Sequence, residues 1–378
     1  MTEDNELRQR AQAQAANMVD LLGELVTCES PTGDTKALGR CADLLTEAGT
    51  AVFGYAPQRI VGDGGPHLLW AGEHPEPVML LGHFDTVWPI GTLDEIPFGI
   101  HDGVARGPGV FDMKAGIVQM LTAAALLEDP TRVRLLLTCD EETGSHTSRD
   151  LVETQARGSR AVLVGEPSAD GGAVKTARKG TANYEITAHG RAAHAGLEPE
   201  LGVNAGLEIA HQSIHLAALA TPDDGTTVTP TVMTAGTTTN TVPEAATLHV
   251  DARAWTRAEL ERVDEAIRKL APHLVGASLT ITGGINRHPF EPTAAQTLLE
   301  HARQAARSLG LPEPAAVRSG GGSDGNFTAA LGIPTLDGLG ALGAHPHGRN
   351  EHVLINTMPD RAAFLARLMS LALSAGLR

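Results

Sequence analysis

An α/β fold interrupted by a smaller α+β domain is predicted by three features of this 378-residue sequence. Short apolar runs alternate with helical patterns through roughly the first 170 residues, which is typical of a sheet with buried strands. Near Lys175 the pattern changes to half-buried strands and charged amphipathic helices. The first pattern then returns. The sequence therefore predicts a discontinuous α/β domain, residues 1–175 and 286–378, and an inserted domain at 176–285.

The elements of the α/β domain follow from its apolar runs and from the turn-like segments that bound them. Helices are predicted at 6–27, 35–48, 117–128, 294–309 and 357–377. Buried strands are predicted at 67–70, 77–86, 133–138, 161–166 and 333–336. Most of these strands end in an acid, a histidine or a glycine-rich turn, which is where ligands bind in open α/β sheets.

The inserted domain has a different order of elements. Strands are predicted at 181–188, 226–234, 246–254 and 278–282, and helices at 204–219 and 257–270. The order is strand, helix, two strands, helix, strand. This order is ferredoxin-like, so we expect an α+β domain with one antiparallel sheet.

Composition and charge narrow the class of protein. The chain is 42% hydrophobic and 20% charged, as in globular proteins, and its formal net charge is −16. A strongly acidic chain disfavours nucleic acid and anionic membranes as partners. The three cysteines show no paired spacing, and residues 1–20 contain no apolar segment of a signal peptide. The sequence has no run of about 18 apolar residues, so no transmembrane helix is expected. We therefore expect a cytoplasmic protein.

Potential metal ligands stand at or near the predicted strand ends or in adjoining turns. Imidazole and carboxylate groups are common ligands of catalytic zinc. The candidates are His83, Asp112, Glu142, Glu166 and His347. Each acid alone is typical of a solvated surface, but five such residues after successive apolar runs indicate a metal site. His345 is an alternative to His347, and the His-x-x-Asn-Glu spacing favours His347.

Two neighbours of these candidates have predicted roles of their own. Adjacent side chains leave a strand end in different directions, so one of Glu141 and Glu142 can face a metal while the other faces the substrate. Asp85 lies two residues after His83, and a carboxylate beside a ligand histidine commonly accepts the hydrogen bond of its second ring nitrogen.

Eight motifs make the sequence similar to the M20 family of zinc aminoacylases and carboxypeptidases, in particular to its glutamate carboxypeptidase (carboxypeptidase G2-like) branch. They occur in the family's order and cover nearly the whole chain. The motifs are GHFDTVW (82–88), GPGVFDMK (107–114), CDEE (139–142), GEP (165–167), GRAAHAG (190–196), TNTVP (239–243), GGGSD (320–324) and HGRNE (347–351).

The resemblance implies a zinc-exopeptidase-like catalytic domain with a ferredoxin-like lid domain, through which homodimers form. It implies two zinc ions per chain, with Co²⁺ or Mn²⁺ as alternatives, and a shared carboxylate from Asp112. His83 and Glu166 would complete one metal site, and Glu142 and His347 the other. Glu141 would be the general base and Asp85 the partner of His83. A cis peptide bond is implied between Asp112 and Met113.

The resemblance also implies a set of substrate-binding residues, chiefly in the inserted domain. His194 matches the residue that reaches the scissile carbonyl from the partner subunit. The positions that match substrate-binding residues are Asn240, Arg253, Arg287, Gly320, Gly321 and Gly322. In carboxypeptidase G2-like enzymes, a lysine shortly after the Glu-Pro of the strand end contacts the glutamate side chain. Lys175 matches it only approximately, because its spacing from Glu166-Pro167 is one residue shorter. The preference for glutamate is therefore left open.

Three functions are compatible with these observations. The first is a carboxypeptidase that releases a C-terminal amino acid, glutamate or a similar residue, from a peptide or an N-acyl conjugate. The second is an N-acyl amino acid deacylase with the same site. The third is a catalytically inactive binding module of the same fold, which the full ligand set and Glu141 disfavour. In each case the expected partner is a substrate with a free carboxylate.

Overall fold

The computed structural model describes residues 3–374, which form two compact units. The first unit extends to Ala177 and includes Glu291–Ser319 and the chain from Ser323 onward. The second comprises Arg178–Phe290 with Gly320–Gly322. The limits predicted from the sequence are 176 and 285. Residues 1–2 and 375–378 of the predicted catalytic domain lie outside the described residues, and these include 375–377 of the predicted closing helix.

The chain contains helices and strands in both units. The helices are α1 (Glu3–Ala13), α2 (Ala15–Thr27), α3 (Thr35–Phe53), α4 (Thr92–Glu95), α5 (Ala115–Leu126), α6 (Arg149–Arg157), α7 (Ala205–Ala217), α8 (Arg257–Arg268), α9 (Gln296–Ser308), α10 (Gly325–Ala330) and α11 (Met358–Ser374). The strands are β1 (Gln58–Gly62), β2 (Gly65–Ala71), β3 (Val78–His83), β4 (Gly99–His101), β5 (Val104–Arg106), β6 (Val133–Thr138), β7 (Ala161–Val164), β8 (Val174–Arg178), β9 (Gly180–His189), β10 (Thr227–Ala235), β11 (Ala245–Ala254), β12 (Ser278–Arg287), β13 (Ala316–Ser319), β14 (Thr335–Leu336), β15 (Gly343–Ala344) and β16 (His352–Leu354).

A six-stranded sheet forms the centre of the first unit, in the order β1–β2–β6–β3–β7–β14. The strands β6, β3, β7 and β14 are parallel, and β2 joins β6 antiparallel. Every residue of β3 and β7 is buried, which explains their continuous apolar sequences. The carboxyl ends of these parallel strands lie along one edge of the sheet, where an open α/β sheet binds its ligands.

Two glycines allow α5 and the loop before it to lie close to this edge. A Cβ atom on Gly116 would come 2.0 Å from the carbonyl oxygen of Gly165, which follows β7. A Cβ atom on Gly82, within β3, would come 2.7 Å from the methyl groups of Met113 and Met120. Larger residues at these positions would push the segment that carries Asp112 away from the strand ends.

The first helices differ in part from the prediction. The prediction of a single helix at 6–27 is wrong. The chain forms two helices there, α1 and α2, which are separated at Gln14. The helix predicted at 35–48 continues to Phe53. The prediction ended it before Gly49, but this glycine lies inside α3, where a Cβ atom would come 2.2 Å from the Trp70 ring. The helix ends instead at Gly54, whose φ is 79°.

A second, smaller sheet brings two of the motifs together. It has the order β15–β16–β5–β4, and its strands are too short to give a clear sequence pattern. The register pairs His352 of β16 with Arg106 of β5. Because Glu351 precedes β16 and Gly107 follows β5, this pairing aligns segment 347–351 with segment 107–114.

The second unit has the ferredoxin-like order expected from the sequence. Its sheet has the order β10–β11–β9–β12, and each neighbouring pair is antiparallel. Apolar residues of α7 and α8 share one core with the sheet, including Ile209, Leu216, Val263 and Ile267. Within residues 3–374, none of the helices has both the length and the apolar character required to cross a bilayer.

Candidate metal centre

Five acids and histidines from distant parts of the sequence come together at the carboxyl edge of the large sheet. His83 is the last residue of β3, Glu166 follows β7, and Glu142 lies in the turn after β6. Asp112 lies in the segment before α5, and His347 lies in the loop between β15 and β16. All five predicted metal ligands therefore belong to the first unit and meet at one place.

The Asp112 carboxylate stands at the centre of this cluster. Its Oδ1 atom lies 3.4 Å from Nε2 of His83, and its Oδ2 atom lies 3.3 Å from Nε2 of His347. Nε2 of His83 is also 3.4 Å from Oε1 of Glu166, and Nε2 of His347 is 3.1 Å from Oε2 of Glu142. The cluster thus consists of two halves, each with one histidine and one further carboxylate, which share Asp112.

These distances fit ligands around a cation. Zinc is held by nitrogen and oxygen ligands at about 2.0–2.2 Å, so two ligands of a tetrahedral site lie roughly 3.3–3.5 Å apart. The separations of 3.1–3.4 Å in both halves fall close to that range. Oδ1 of Asp112 and Oε1 of Glu142 are buried, and they accept no hydrogen bond from any residue between Glu3 and Ser374. Buried carboxylate oxygens without donors are costly unless a cation satisfies them.

The electrostatics of the cluster also favour a cation. Asp112 and then Glu142 raise the pKa of His347 to about 10. Burial opposes the charging of His83, but Asp112, Asp85 and Glu166 together raise its pKa well above the ordinary value. Burial raises the pKa of Glu142, and His347 opposes this shift. A cluster that contains this many carboxylates binds positive charge strongly. Divalent metal ions can supply that charge in place of the protons on the two histidines.

Asp85 contacts both His83 and the turn that carries Glu141 and Glu142. Nδ1 of His83, the ring nitrogen that does not face the cluster, lies 3.1 Å from the Asp85 backbone carbonyl oxygen and 3.4 Å from Oδ1 of Asp85. The Asp85 carboxylate also accepts hydrogen bonds from the backbone N–H groups of Glu141 and Glu142, each at 3.2 Å, and from the Thr32 hydroxyl at 2.7 Å. Asp85 is fully buried. The residue therefore orients the His83 ring and holds the turn that carries both glutamates.

Glu141 lies beside the cluster. One of its carboxylate oxygens and the ligand atoms of His83 and Glu166 all lie within 4.8 Å of one another. The side chain is close enough to act on a molecule bound at the cluster, or to act as a ligand itself. His345, the alternative to His347, has its ring 5.8 Å from that of His352 between centroids, whereas His347 is the histidine that contacts Asp112 and Glu142.

The backbone around Asp112 has the conformation implied by the resemblance. The peptide bond between Asp112 and Met113 is cis. The preceding Gly109 has a φ of 69°, and α5 begins at Ala115. The Asp112 carboxylate itself lies between the two histidines.

In the second unit, the loops of His194 and Asn240 pair with each other. The backbone N–H of Ala195 donates to the Asn240 carbonyl at 2.9 Å, and that of Val242 donates to the Ala193 carbonyl at 2.8 Å. Nδ1 of the His194 ring accepts from the N–H groups of Gly196 and Leu197, each at 3.1 Å. Because Nδ1 is the acceptor, the proton of the neutral ring resides on Nε2, which can donate to a bound oxygen.

Arg253, Arg287 and the glycine-rich segment form another group in the second unit. Arg253 on β11 and Arg287 on β12 both pair in register with Thr181 of β9. The Arg253 guanidinium donates to Asp251 at 2.9 Å and to the carbonyl of Gly320 at 3.3 Å. A Cβ atom on Gly322 would come 2.9 Å from Cδ of Arg287. The structure therefore brings together the predicted carboxylate-binding arginines and the segment Gly320–Gly322.

Lys175 lies in the first unit, on β8. Its backbone N–H donates to the Asp337 carbonyl at 2.8 Å, and its carbonyl accepts from the Asp337 N–H at 3.3 Å. The backbone position of Lys175 is thus fixed by the segment that follows β14.

Three residues that contact the segments around the cluster could not be assigned from the sequence. Thr32 contacts Asp85, but an isolated threonine in a turn gives no signal in a sequence. His67 accepts the N–H of Cys139 at 3.3 Å and lies in a buried strand, where a histidine is an unusual residue. Glu351 contacts the Asp112 segment. It is the last residue of the HGRNE motif, so the motif itself contained a signal for it.

Comparison with known proteins gives consistent results for sequence and fold. The model of peptidase family M20/M25/M40 matches residues 79–371. The chain is 30% identical to carboxypeptidase G2 of Pseudomonas sp. (strain RS-16), with 97% of this chain and 92% of that protein covered. It is also 30% identical to a succinyl-diaminopimelate desuccinylase of Acinetobacter baylyi, with 80% and 85% covered.

Among solved structures, the chain is similar to the aminopeptidase PepT of Bacillus cereus. The TM-score is 0.73 at 23% sequence identity, and 95% of this chain and 99% of that chain are covered. At this identity the likeness supports the fold, and the chemistry must be argued from the residues of the site.

Proposed function

This chain belongs to peptidase family M20/M25/M40 and is an M20-type metallopeptidase, and we propose that it releases a C-terminal amino acid, glutamate or a similar residue, from a peptide or an N-acyl conjugate. The observation that carries the proposal is the Asp112 carboxylate, whose two oxygens face two separate histidine–carboxylate halves. The similarity to carboxypeptidase G2 over almost the whole chain supports the carboxypeptidase reaction.

The cluster has the donor set of a dinuclear zinc site. His83 and Glu166 would hold one ion, Glu142 and His347 the other, and Asp112 would bridge them. Two bound zinc ions would supply an acidified water and would polarise the scissile carbonyl. Asp85 keeps the Nε2 atom of His83 directed at the cluster, because it contacts the opposite ring nitrogen.

Glu141 is the proposed general base. Its carboxylate lies beside the cluster, within 4.8 Å of the ligand atoms of His83 and Glu166. A carboxylate in this position can accept the proton of the attacking water and then donate it to the leaving amine. Its neighbour Glu142 is directed at His347, so the two adjacent glutamates have different roles.

The second unit supplies the proposed substrate contacts. Arg253 and Arg287 would bind substrate carboxylates as charge-assisted pairs, beside the backbone of Gly320–Gly322. Asn240 would contact the substrate from the loop that pairs with the His194 loop. The Nε2–H of His194 would donate to the carbonyl oxygen, where negative charge develops during the reaction. Lys175 would contact an acidic side chain of the released amino acid.

We further propose that the active form is a homodimer in which His194 serves the partner subunit. Exposed apolar side chains occur in the second unit on both α7 and the edge strand β10. On α7, Leu207 and Ile214 are 56% and 73% exposed, and on β10, Val232 and Met233 are 53% and 48% exposed. Exposed apolar side chains on an edge strand and on a neighbouring helix are suited to pairing with a second copy about a two-fold axis.

A deacylase that removes a small acyl group is a second candidate. The specific observation in its favour is the 30% identity to a relative named succinyl-diaminopimelate desuccinylase. The two candidates share the metal centre and Glu141. They differ in the side of the amide bond that the enzyme recognises.

A panel of N-acyl amino acids and dipeptides, varied on each side of the amide, tests the proposal with zinc-loaded protein. For a carboxypeptidase, kcat/KM should follow the identity of the released amino acid and tolerate changes of the acyl group. For a deacylase, kcat/KM should follow the acyl group instead. The same panel with Glu141→Gln protein is the control for contaminating activity. Absence of turnover on every compound, with two zinc ions bound, would instead support an inactive binding module.

A further inference from the structure

Glu351 is a buried carboxylate that lies outside the set of proposed metal ligands. It is the last residue of the loop that carries His347, and its side chain is 2% exposed. A buried charge is tolerated where hydrogen-bond donors satisfy it. The donors around Glu351 all come from segments that approach the metal centre.

Four N–H groups donate to this carboxylate. Oε1 accepts from the backbone N–H groups of Phe111 at 2.8 Å and Asp112 at 3.0 Å. Oε2 accepts from the backbone N–H of Gly109 at 3.0 Å and from the indole N–H of Trp88 at 3.0 Å. An ionised carboxylate has about four lone-pair sites, so these donors use all of them. No lone pair is left on Glu351 for a metal ion.

Glu351 and its four donors belong to three of the sequence motifs. Trp88 ends the motif that contains His83 and Asp85, and residues 109–112 carry the shared carboxylate. The pairing of β16 with β5 sets Glu351 beside the second of these segments. One side chain thus links the segments that supply His83, Asp112 and His347, and one of its bonds goes to the N–H of Asp112 itself.

We propose that Glu351 is a positioning residue that fixes the Asp112 carboxylate between His83 and His347, so that both metal ions depend on it. The inference rests on the two-metal centre proposed above. Glu351 acts by holding the backbone of residues 109–112 in the one conformation that directs Oδ1 to His83 and Oδ2 to His347. Asp112 is shared by the two metal sites, so loss of the Glu351 hydrogen bonds weakens both sites. Removal of Glu142 or of Glu166 directly affects only one metal site.

Glu351→Gln tests this role with little change of volume. The amide has one acceptor oxygen and one NH₂ group, so in either orientation two of the four N–H groups face a donor instead of an acceptor. Trp88→Phe removes one donor and leaves the three backbone contacts in place. Glu95→Gln is the matched control. The Glu95 carboxylate forms an exposed ion pair at 2.7 Å with Arg349, which lies in the same loop as Glu351.

Zinc bound per chain is measured by equilibrium dialysis against chelator-buffered free zinc, with circular dichroism to confirm folding. For Glu351→Gln we expect both zinc affinities to fall about 10–100-fold, the usual cost of removing a partner that orients a ligand. Trp88→Phe should lie between this variant and the wild type, and Glu95→Gln should match the wild type. A merely structural role would lower the melting temperature of the metal-free protein and leave both affinities unchanged.

Folded Glu351→Gln protein with wild-type affinity for both ions would overturn the inference. If that variant does not fold, an unchanged affinity of Trp88→Phe would overturn it. A wild-type chain that binds fewer than two zinc ions would instead refute the metal centre, and the inference with it, so the two failures are distinguishable.

Discussion

Replacement of Glu141 by glutamine should nearly abolish turnover and leave the metal content at the wild-type value. The Glu141 carboxylate lies within 4.8 Å of ligand atoms of His83 and Glu166, near enough to act on a water held at the cluster. Glutamine has the same shape but cannot accept the proton. Loss of a general base costs about 10²–10⁴-fold in rate, which corresponds to about 2.7–5.4 kcal/mol of activation free energy.

The adjacent Glu142 provides the control for this experiment. Its Oε2 atom is 3.1 Å from Nε2 of His347, so Glu142→Gln should release metal as well as activity. Both variants are assayed for kcat on the best substrate of the panel and for metal by elemental analysis. If Glu141→Gln loses metal, or keeps wild-type activity, the roles assigned to Glu141 and Glu142 are exchanged.

Three further outcomes are expected. Asp85→Asn should weaken metal binding about 10–100-fold, since Asp85 contacts His83 and holds the glutamate turn; unchanged zinc affinity in dialysis would contradict this. In metal-free protein the pKa of His347 is raised to about 10, so its contribution to stability is complete below the unfolded value near 6.5 and is lost as pH rises through 10. The melting temperature should therefore fall over that range, and this fall should be absent after zinc loading. Re-association of Glu141→Gln chains with His194→Ala chains should restore about a quarter of wild-type activity, from one good site in half of the dimers. No recovery, with subunit exchange confirmed, would mean that His194 does not act in the partner subunit.

Much of the fold was accessible from the sequence because its strands are buried on both faces. The apolar run 133–138 corresponds to β6 without any shift, and the ferredoxin-like order of the insertion matches the observed sheet. The small sheet of β4, β5, β15 and β16 was missed, since strands of two or three residues have no measurable periodicity. The end of α3 was also wrong, because only the contact of Gly49 with Trp70 shows why that glycine lies inside a helix.

The composition of the candidate site was easier to predict than its supporting contacts. His83, Glu142 and Glu166 stand at or just after strand ends. The apolar run of each strand predicts where that strand ends. The contacts that orient them depend on atoms brought together only by folding. Thr32 reaches Asp85 across 53 residues, and Glu351 reaches the Asp112 segment across 239. The sequence could identify Glu351 as part of a motif but could not reveal which groups it contacts.

The number of metal ions per chain tests the proposed function most directly. Purified protein is stripped of metal, reconstituted with zinc, freed of excess ion by gel filtration and analysed for zinc and protein concentration. Two zinc ions per chain are expected, because Asp112 offers one oxygen to each histidine–carboxylate half. An Asp112→Asn variant should retain fewer than two. A wild-type stoichiometry of one or none would contradict the dinuclear centre and the mechanism built on it.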